Sequence, residues 1–236
     1  GKRARSCTTC GVSARWAESM SPPMSPIPKS VPIVLGVIFC DAFNQFLIFP
    51  FLPFLVRHQC SLSAGDPKVP ILCGLLAAAY LLGQFLCSPV YGGLSERYGR
   101  RPVMLLCMFV STIFLGAFGF SNDYRLSLAL RLLQGFFAGA LTVGKLYLAD
   151  VTDASNTPKV FSFIGIAIGS GCIVGPAVGG YLADPHLLSV LAPPSTPQAY
   201  LVGAFPFSAP TIAGALFSLV LFGLAAVTLP KSRAPS

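Results

Sequence analysis

The stretch GGLSERYGRR, Gly92 to Arg101, gathers three arginines and a glutamate into ten residues of a chain whose charged fraction is only 10%. On either side, ILCGLLAAAYLLGQFLCSPVY (71–91) and PVMLLCMFVSTIFLGAFGF (102–120) carry no charge at all. Charged side chains need water, and apolar runs of this length need hydrocarbon. The stretch therefore reads as a polar turn between two membrane helices.

A hydrocarbon core about 30 Å thick takes roughly 20 apolar residues per helix. Working outward from the turn, six such runs are found, at about 31–56, 71–91, 102–121, 126–150, 160–182 and 208–229. They account for a hydrophobic content of 54% over 236 residues and a mean hydropathy of +0.72. Strands of a membrane β-barrel would instead alternate over about ten residues. The expected fold class is an all-α integral membrane protein with six transmembrane helices, multi-pass in the lipid bilayer.

A net charge of +8 raises the question of nucleic acid, and the distribution of the charge answers it. With the N-terminus cytoplasmic, the inner segments hold Lys2, Arg3, Arg5, Arg15, Lys29, Arg97, Arg100, Arg101, Lys159, Lys231 and Arg233. The outer segments hold Arg57, Lys68 and Arg125. The excess follows the positive-inside rule and predicts both termini cytoplasmic, with no nucleic-acid partner.

Residues 1–30 are basic and broken by prolines (SPPMSPIPKS), with too little apolar surface to bury, and are expected to be a disordered cytoplasmic tail. Residues 231–236 are expected to lie on the cytoplasmic side, after a transmembrane domain at 31–230. Cys7 and Cys10 form CTTC in the tail without a second ligand pair, so no metal site is expected. Cys40, Cys87, Cys107 and Cys172 lie within apolar runs, where thiols pack. Cys60 and Cys73 fall near the outer face, where a bridge and two free thiols are both compatible with the spacing.

The turn Gly92, Glu96, Arg97, Gly99, Arg100 and Arg101 resembles the G-x-x-x-[DE]-R-x-G-[RK]-[RK] loop joining the second and third helices of the major facilitator superfamily. Arg131, Gln134 and Gly135 resemble its R-x-x-Q-G motif in the fourth helix. Gly171, Gly175, Pro176, Gly179 and Gly180 match the G-x-x-x-G-P-x-x-G-G pattern of its antiporters in the fifth. In the first run, Asp41, Pro50 and Pro53 are spaced as in tetracycline/proton antiporter-like members, and YLADVTD, with Asp150 and Asp153, resembles the same group. FPFLPFLVR and GGYLADP are similar to the drug/proton antiporter branch that includes zinc-induced facilitator-like proteins. One departure is ASNTPK after the fourth run, where the family usually has an acidic-arginine pair and this chain keeps Lys159.

The resemblance implies two three-helix repeats, forming the N-terminal half of a twelve-helix transporter. It implies proton-coupled export of a small organic solute by alternating access, without an enzyme activity or a cofactor. Consistent with that, no G-x-x-x-x-G-K-[ST] phosphate loop is present in the sequence. The partners implied are the solute, H⁺, and either a C-terminal six-helix half or a second copy of the chain. The alternative is a half-transporter remnant that binds a ligand or partner without moving it.

Charges at mid-bilayer are costly and need a reason. Asp41 lies about ten residues, or roughly 15 Å, into the first run, and Arg131 lies near the outer part of the fourth. A static ion pair is one reading. The other makes Asp41 the proton carrier and Arg131, which stays charged, its competing cation. Asn44, Gln45 and Gln134 are candidate contacts in a substrate cavity. Lys145, fourteen residues beyond Arg131 and so on about the same helical face, is expected to snorkel toward the interface. Glycines 171, 175 and 179 form a flat seam for a neighbouring helix, bent by Pro176. For the turn itself, the family implies a latch in which Glu96 and Asp150 pair with Arg97, Arg100 or Arg101.

Overall fold

The computed structural model describes residues 28, 30–63, 65–153, 155–184 and 207–229. Among these residues all regular structure is helical. In chain order the helices are α1 (Val31–Phe46), α2 (Leu52–Cys60), α3 (Lys68–Tyr98), α4 (Arg100–Gly119), α5 (Tyr124–Phe136), α6 (Ala140–Val151), α7 (Thr157–Leu182) and α8 (Ser208–Thr228). The tail, with Cys7, Cys10 and Lys29, and the segments 185–206 and 230–236, with His186, lie outside the described residues.

Proline sets several of the starts. Pro32, Pro53 and Pro158 occupy the first helical positions of α1, α2 and α7, where a missing N–H removes no hydrogen bond. The first apolar run is not one straight helix. Leu47 to Phe51 form a turn between α1 and α2, because Pro50 cannot donate and its ring crowds the preceding turn. The fourth run breaks at Phe137–Gly139 into α5 and α6. Five unbroken or nearly unbroken spans are long and apolar enough to cross a membrane, and α1 with α2 makes the sixth.

The polar turn is shorter than the sequence predicts. Seven of its ten residues continue α3 as helix to Tyr98, and Arg100 opens α4. The junction is Gly99 alone, at φ 94° and ψ 149°, a backbone conformation essentially confined to glycine. At 31 residues α3 is about 46 Å long, so its charged last turns stand beyond the hydrocarbon.

Three pairings organise the bundle: α1 on α7, α3 on α5, and α4 on α8. Exchanging the first span with the fourth, and the second with the fifth, turns the α1/α7 contact into the α5/α3 contact and returns α4/α8 to itself. This is the contact pattern of two three-helix repeats. Both exchanged contacts rest on glycine. Gly83 and Gly135 lie against the backbone of the facing helix between α3 and α5. Gly171, Gly175 and Gly179 of α7 lie against the α1 backbone, and a Cβ on Gly175 would stand 2.7 Å from Phe43 O. The expected seam thus has a named partner, α1 and the turn that follows it. Gly180 is off the seam and faces Pro50 at an ordinary 3.4 Å.

The outer surface is apolar. Phe85, Ile173 and Val227 are 76%, 74% and 85% exposed, which a lipid environment accommodates and water would not.

Candidate functional site

Two hydrophobic cores divide the bundle along its length. One gathers Val31 to Cys40, Val103 to Met108, Val143 to Leu148 and Ala225 near the Gly99 end. The other gathers Phe43 to Val56 with Leu76, Leu115 and Phe118 toward the opposite end. Asp41 falls between the two on α1. Arg131, Gln134 and Ser218 are buried polar residues outside both cores, and among the described residues Arg131 is the one buried charge.

Arg131 on α5 is 5% exposed. It donates through Nη1 to Gln134 Oε1 at 3.1 Å, one turn along the same helix. Its guanidinium lies 4.6 Å from the Phe118 ring centroid and 5.8 Å from that of Tyr80. Ring faces attract a desolvated cation by up to about 2 kcal/mol, which offsets part of the burial cost. Asp41 does not pair with Arg131. It is half-buried, and the only ion pair among the described residues joins two others, Arg100 and Asp150. Tyr80 on α3 is buried, and it both faces the Arg131 guanidinium and lines the neighbouring cleft.

A cleft opens beside this group between α1, α2 and α3. Gln45, Ile48, Phe49, Leu52, Leu76, Tyr80 and Arg131 are among the residues that line it. It is shallow, with a cavity volume of about 30 Å³, room for a water molecule or two. The walls are mostly apolar, and Gln45, Tyr80 and the buried guanidinium of Arg131 are the side chains with polar atoms. The turn at Leu47–Phe51 shapes the cleft, because it redirects the chain between Gln45 and Leu52.

Of the three residues expected in a cavity, Gln45 alone lines this cleft. Gln134 is 2% exposed and is occupied with Arg131. Asn44 points to α8, where its Nδ2 donates to Ser218 Oγ at 2.6 Å. Cys40 Sγ lies 3.2 Å from the same hydroxyl, so Cys40, Asn44 and Ser218 form a polar knot between α1 and α8. Residues 41, 44 and 45 sit within one turn, and 100° per residue sends 44 and 45 to different neighbours.

Lys145 is exposed while Arg131 is buried, and the shared face predicted from their spacing is not kept. A fourteen-residue interval preserves a face only in an unbroken helix, and Phe137–Gly139 interrupts this one. At the break Gln84 Nε2 of α3 donates to Ala138 O at 3.4 Å, serving a carbonyl released from the helical ladder. Cys60 and Cys73 are both free thiols.

At the Gly99 end the arginines have separate tasks. Arg100 Nε donates to Asp150 Oδ2 at 2.9 Å, and its Nη1 to Ser95 Oγ at 2.6 Å. Arg101 Nη2 donates to Ala226 O in the last turn of α8, the carbonyl end that favours a cation. Arg97 lies over the Tyr98 ring at 5.8 Å. Glu96 is exposed and takes no part in an ion pair among the described residues.

Tyr80, Phe118, Gln84 and Ser218 belong to this site and carry no motif signal. Gln84 and Ser218 were legible only as polar residues in apolar runs; Tyr80 and Phe118 look like any membrane aromatic.

Six spans in two repeats, a buried polar group and a lateral cleft define a helical membrane-transporter domain. The family model of the Major Facilitator Superfamily matches residues 34–236, and the chain belongs to that superfamily, whose members are transporters and not enzymes. It is 34% identical over 153 residues to the class C tetracycline resistance protein of Escherichia coli, covering 64% of this chain and 37% of that protein. It is 29% identical over 199 residues to the zinc induced facilitator-like 1 protein of Arabidopsis thaliana, covering 84% of this chain and 40% of the relative. The solved structure of a D-xylose-proton symporter superposes with a TM-score of 0.65 at 16% identity, over 86% of this chain and 48% of that one. The fold is thus one six-helix half of the superfamily's, and the chain spans about 40% of the length of the curated relatives it matches.

Proposed function

We propose that this chain supplies one half of a proton-coupled exporter of small organic solutes, working by alternating access with both termini cytoplasmic. The observation that carries the reading is the cleft lined by Gln45, Tyr80 and Arg131, with Asp41 one turn before Gln45 on α1 and in no ion pair among the described residues. In this reading Asp41 takes up and releases the proton. Arg131 stays charged, and Tyr80, whose ring faces its guanidinium, lines the cleft beside it. A solute held near Arg131 competes with the proton on Asp41, which is the logic of antiport. The tetracycline resistance relatives support a small organic solute as cargo. A facing six-helix half, or a second copy, would complete the pathway. Arg100 with Asp150 and Arg101 with Ala226 O act as separable closures at the cytoplasmic end, and the α7 glycine seam positions α1.

Proteoliposomes with an interior pH dye, given tetracycline as the probe solute, test this. Solute addition should drive proton movement, and Asp41→Asn should abolish it while leaving probe binding measurable by equilibrium dialysis. Coupled flux at the wild-type level in Asp41→Asn overturns the role of Asp41. Binding without any flux in the wild-type chain supports instead a ligand-binding half.

A further inference from the structure

The joint between α3 and α4 holds a second cleft, apart from the one between α1 and α3. Leu94 and Tyr98, one turn apart on α3, face Pro102, Val103 and Leu106 on α4. The wedge has a cavity volume of about 380 Å³. It opens outward from the bundle: Tyr98 is 61% and Leu106 51% exposed. Gly99 sets its angle, since the chain reverses there in a single residue.

The rim carries a cation with a defined position. Arg97 is exposed, and its guanidinium lies 5.8 Å over the ring of Tyr98, one wall of the wedge. Among the described residues no carboxylate pairs with it. Arg100 is taken up by Asp150 and Ser95, and Arg101 by the uncharged carbonyl of Ala226, so its charge is not cancelled. Three guanidiniums against the carboxylates of Glu96 and Asp150 leave this end positive. Glu96, which precedes Arg97, is exposed and forms no ion pair among the described residues.

An apolar wedge open on the outside of α3 and α4, with an arginine at its polar mouth that pairs with no carboxylate among the described residues, matches a molecule with an acyl chain and an anionic headgroup. We propose that the α3/α4 wedge binds an anionic phospholipid, its phosphate at Arg97 and the upper part of one acyl chain between Tyr98, Pro102 and Leu106. The stacked guanidinium is held where headgroup phosphates lie, and anionic lipids are drawn to basic residues at that depth. A lipid seated there bears on both helices leaving Gly99. The site depends neither on which end is cytoplasmic nor on the transport reading.

Native mass spectrometry of the detergent-purified chain with equimolar phosphatidylglycerol and phosphatidylcholine tests the proposal. The wild type should retain phosphatidylglycerol over phosphatidylcholine by about fivefold, the increment expected of one interfacial arginine. Arg97→Gln should bring that ratio to near one, with thermal unfolding unchanged. Leu106→Trp should fill the wedge and reduce both adducts; if it fails to fold, Leu94→Trp replaces it. An unchanged ratio in Arg97→Gln overturns the proposal. So does a dimer, dispersed by Leu106→Trp, that forms without lipid, since the wedge would then be a protein interface.

Discussion

Arg100, the first residue of α4, reaches Asp150 Oδ2 on α6 at 2.9 Å and Ser95 Oγ on α3 at 2.6 Å. One guanidinium therefore holds three helix ends, from both repeats. Its own side chain is 15% exposed and that of Asp150 53%, so the ion pair itself contributes only about 0 to 1 kcal/mol. A closure that must open in every transport cycle is suited by a small energy.

Arg100 and Arg101 are adjacent in sequence but are predicted to behave independently. Asp150→Asn should remove most of the effect of Arg100→Gln on thermal unfolding, a coupling of about 0.5 kcal/mol or more. Arg101→Gln, whose partner is Ala226 O on α8, should add to Asp150→Asn without coupling. A double-mutant cycle in detergent, repeated at high salt to screen the exposed pair, checks this.

The glycines of α7 are predicted to divide by position. Gly175→Ala puts a Cβ 2.7 Å from Phe43 O, forces α7 from α1 and should cost about 1 to 3 kcal/mol. Gly165 and Gly169 have nothing within 4 Å of an added Cβ. Alanine at either should be neutral or stabilising by up to about 1 kcal/mol through helix propensity. Melting temperatures of the three variants decide it, and equal losses at all three would remove the seam as a packing device.

Asn44 and Gln45 are neighbours with opposite expected phenotypes. Asn44→Ala breaks the bond to Ser218 Oγ at 2.6 Å and should destabilise the bundle by about 1 kcal/mol, with tetracycline binding retained in the folded fraction. Gln45→Ala, on the cleft wall, should leave the melting temperature within about 0.5 kcal/mol equivalent and weaken binding. Parallel unfolding and dialysis measurements separate the two roles.

Much of this was legible in the chain because membranes impose strict rules. Apolar run length forecasts the spans, and a cluster such as Gly92–Arg101 can only lie at an interface. The errors fall where a local rule met a tertiary neighbour. The run 31–56 is broken before α2, and the fourth run is broken where Gly139 lies close to Tyr91 and Cys107, contacts no window of sequence contains. The turn at 92–101 reads as a loop because its residues are polar, yet Arg100 and Ser95 brace one another and the helix persists to Tyr98.

The solvent of each segment, the number of spans and the superfamily follow from the chain alone, because hydrophobic length and charge are local, additive properties. Helix packing is what leaves Asp41 and Arg131 without an ion pair between them, gives Asn44 to α8 and not to the cleft, and sends three neighbouring arginines to three different ends. Those outcomes depend on the angle at which each side chain leaves its helix and on which helix lies opposite, and glycine contacts such as Gly175 on Phe43 set that facing geometry from far along the chain.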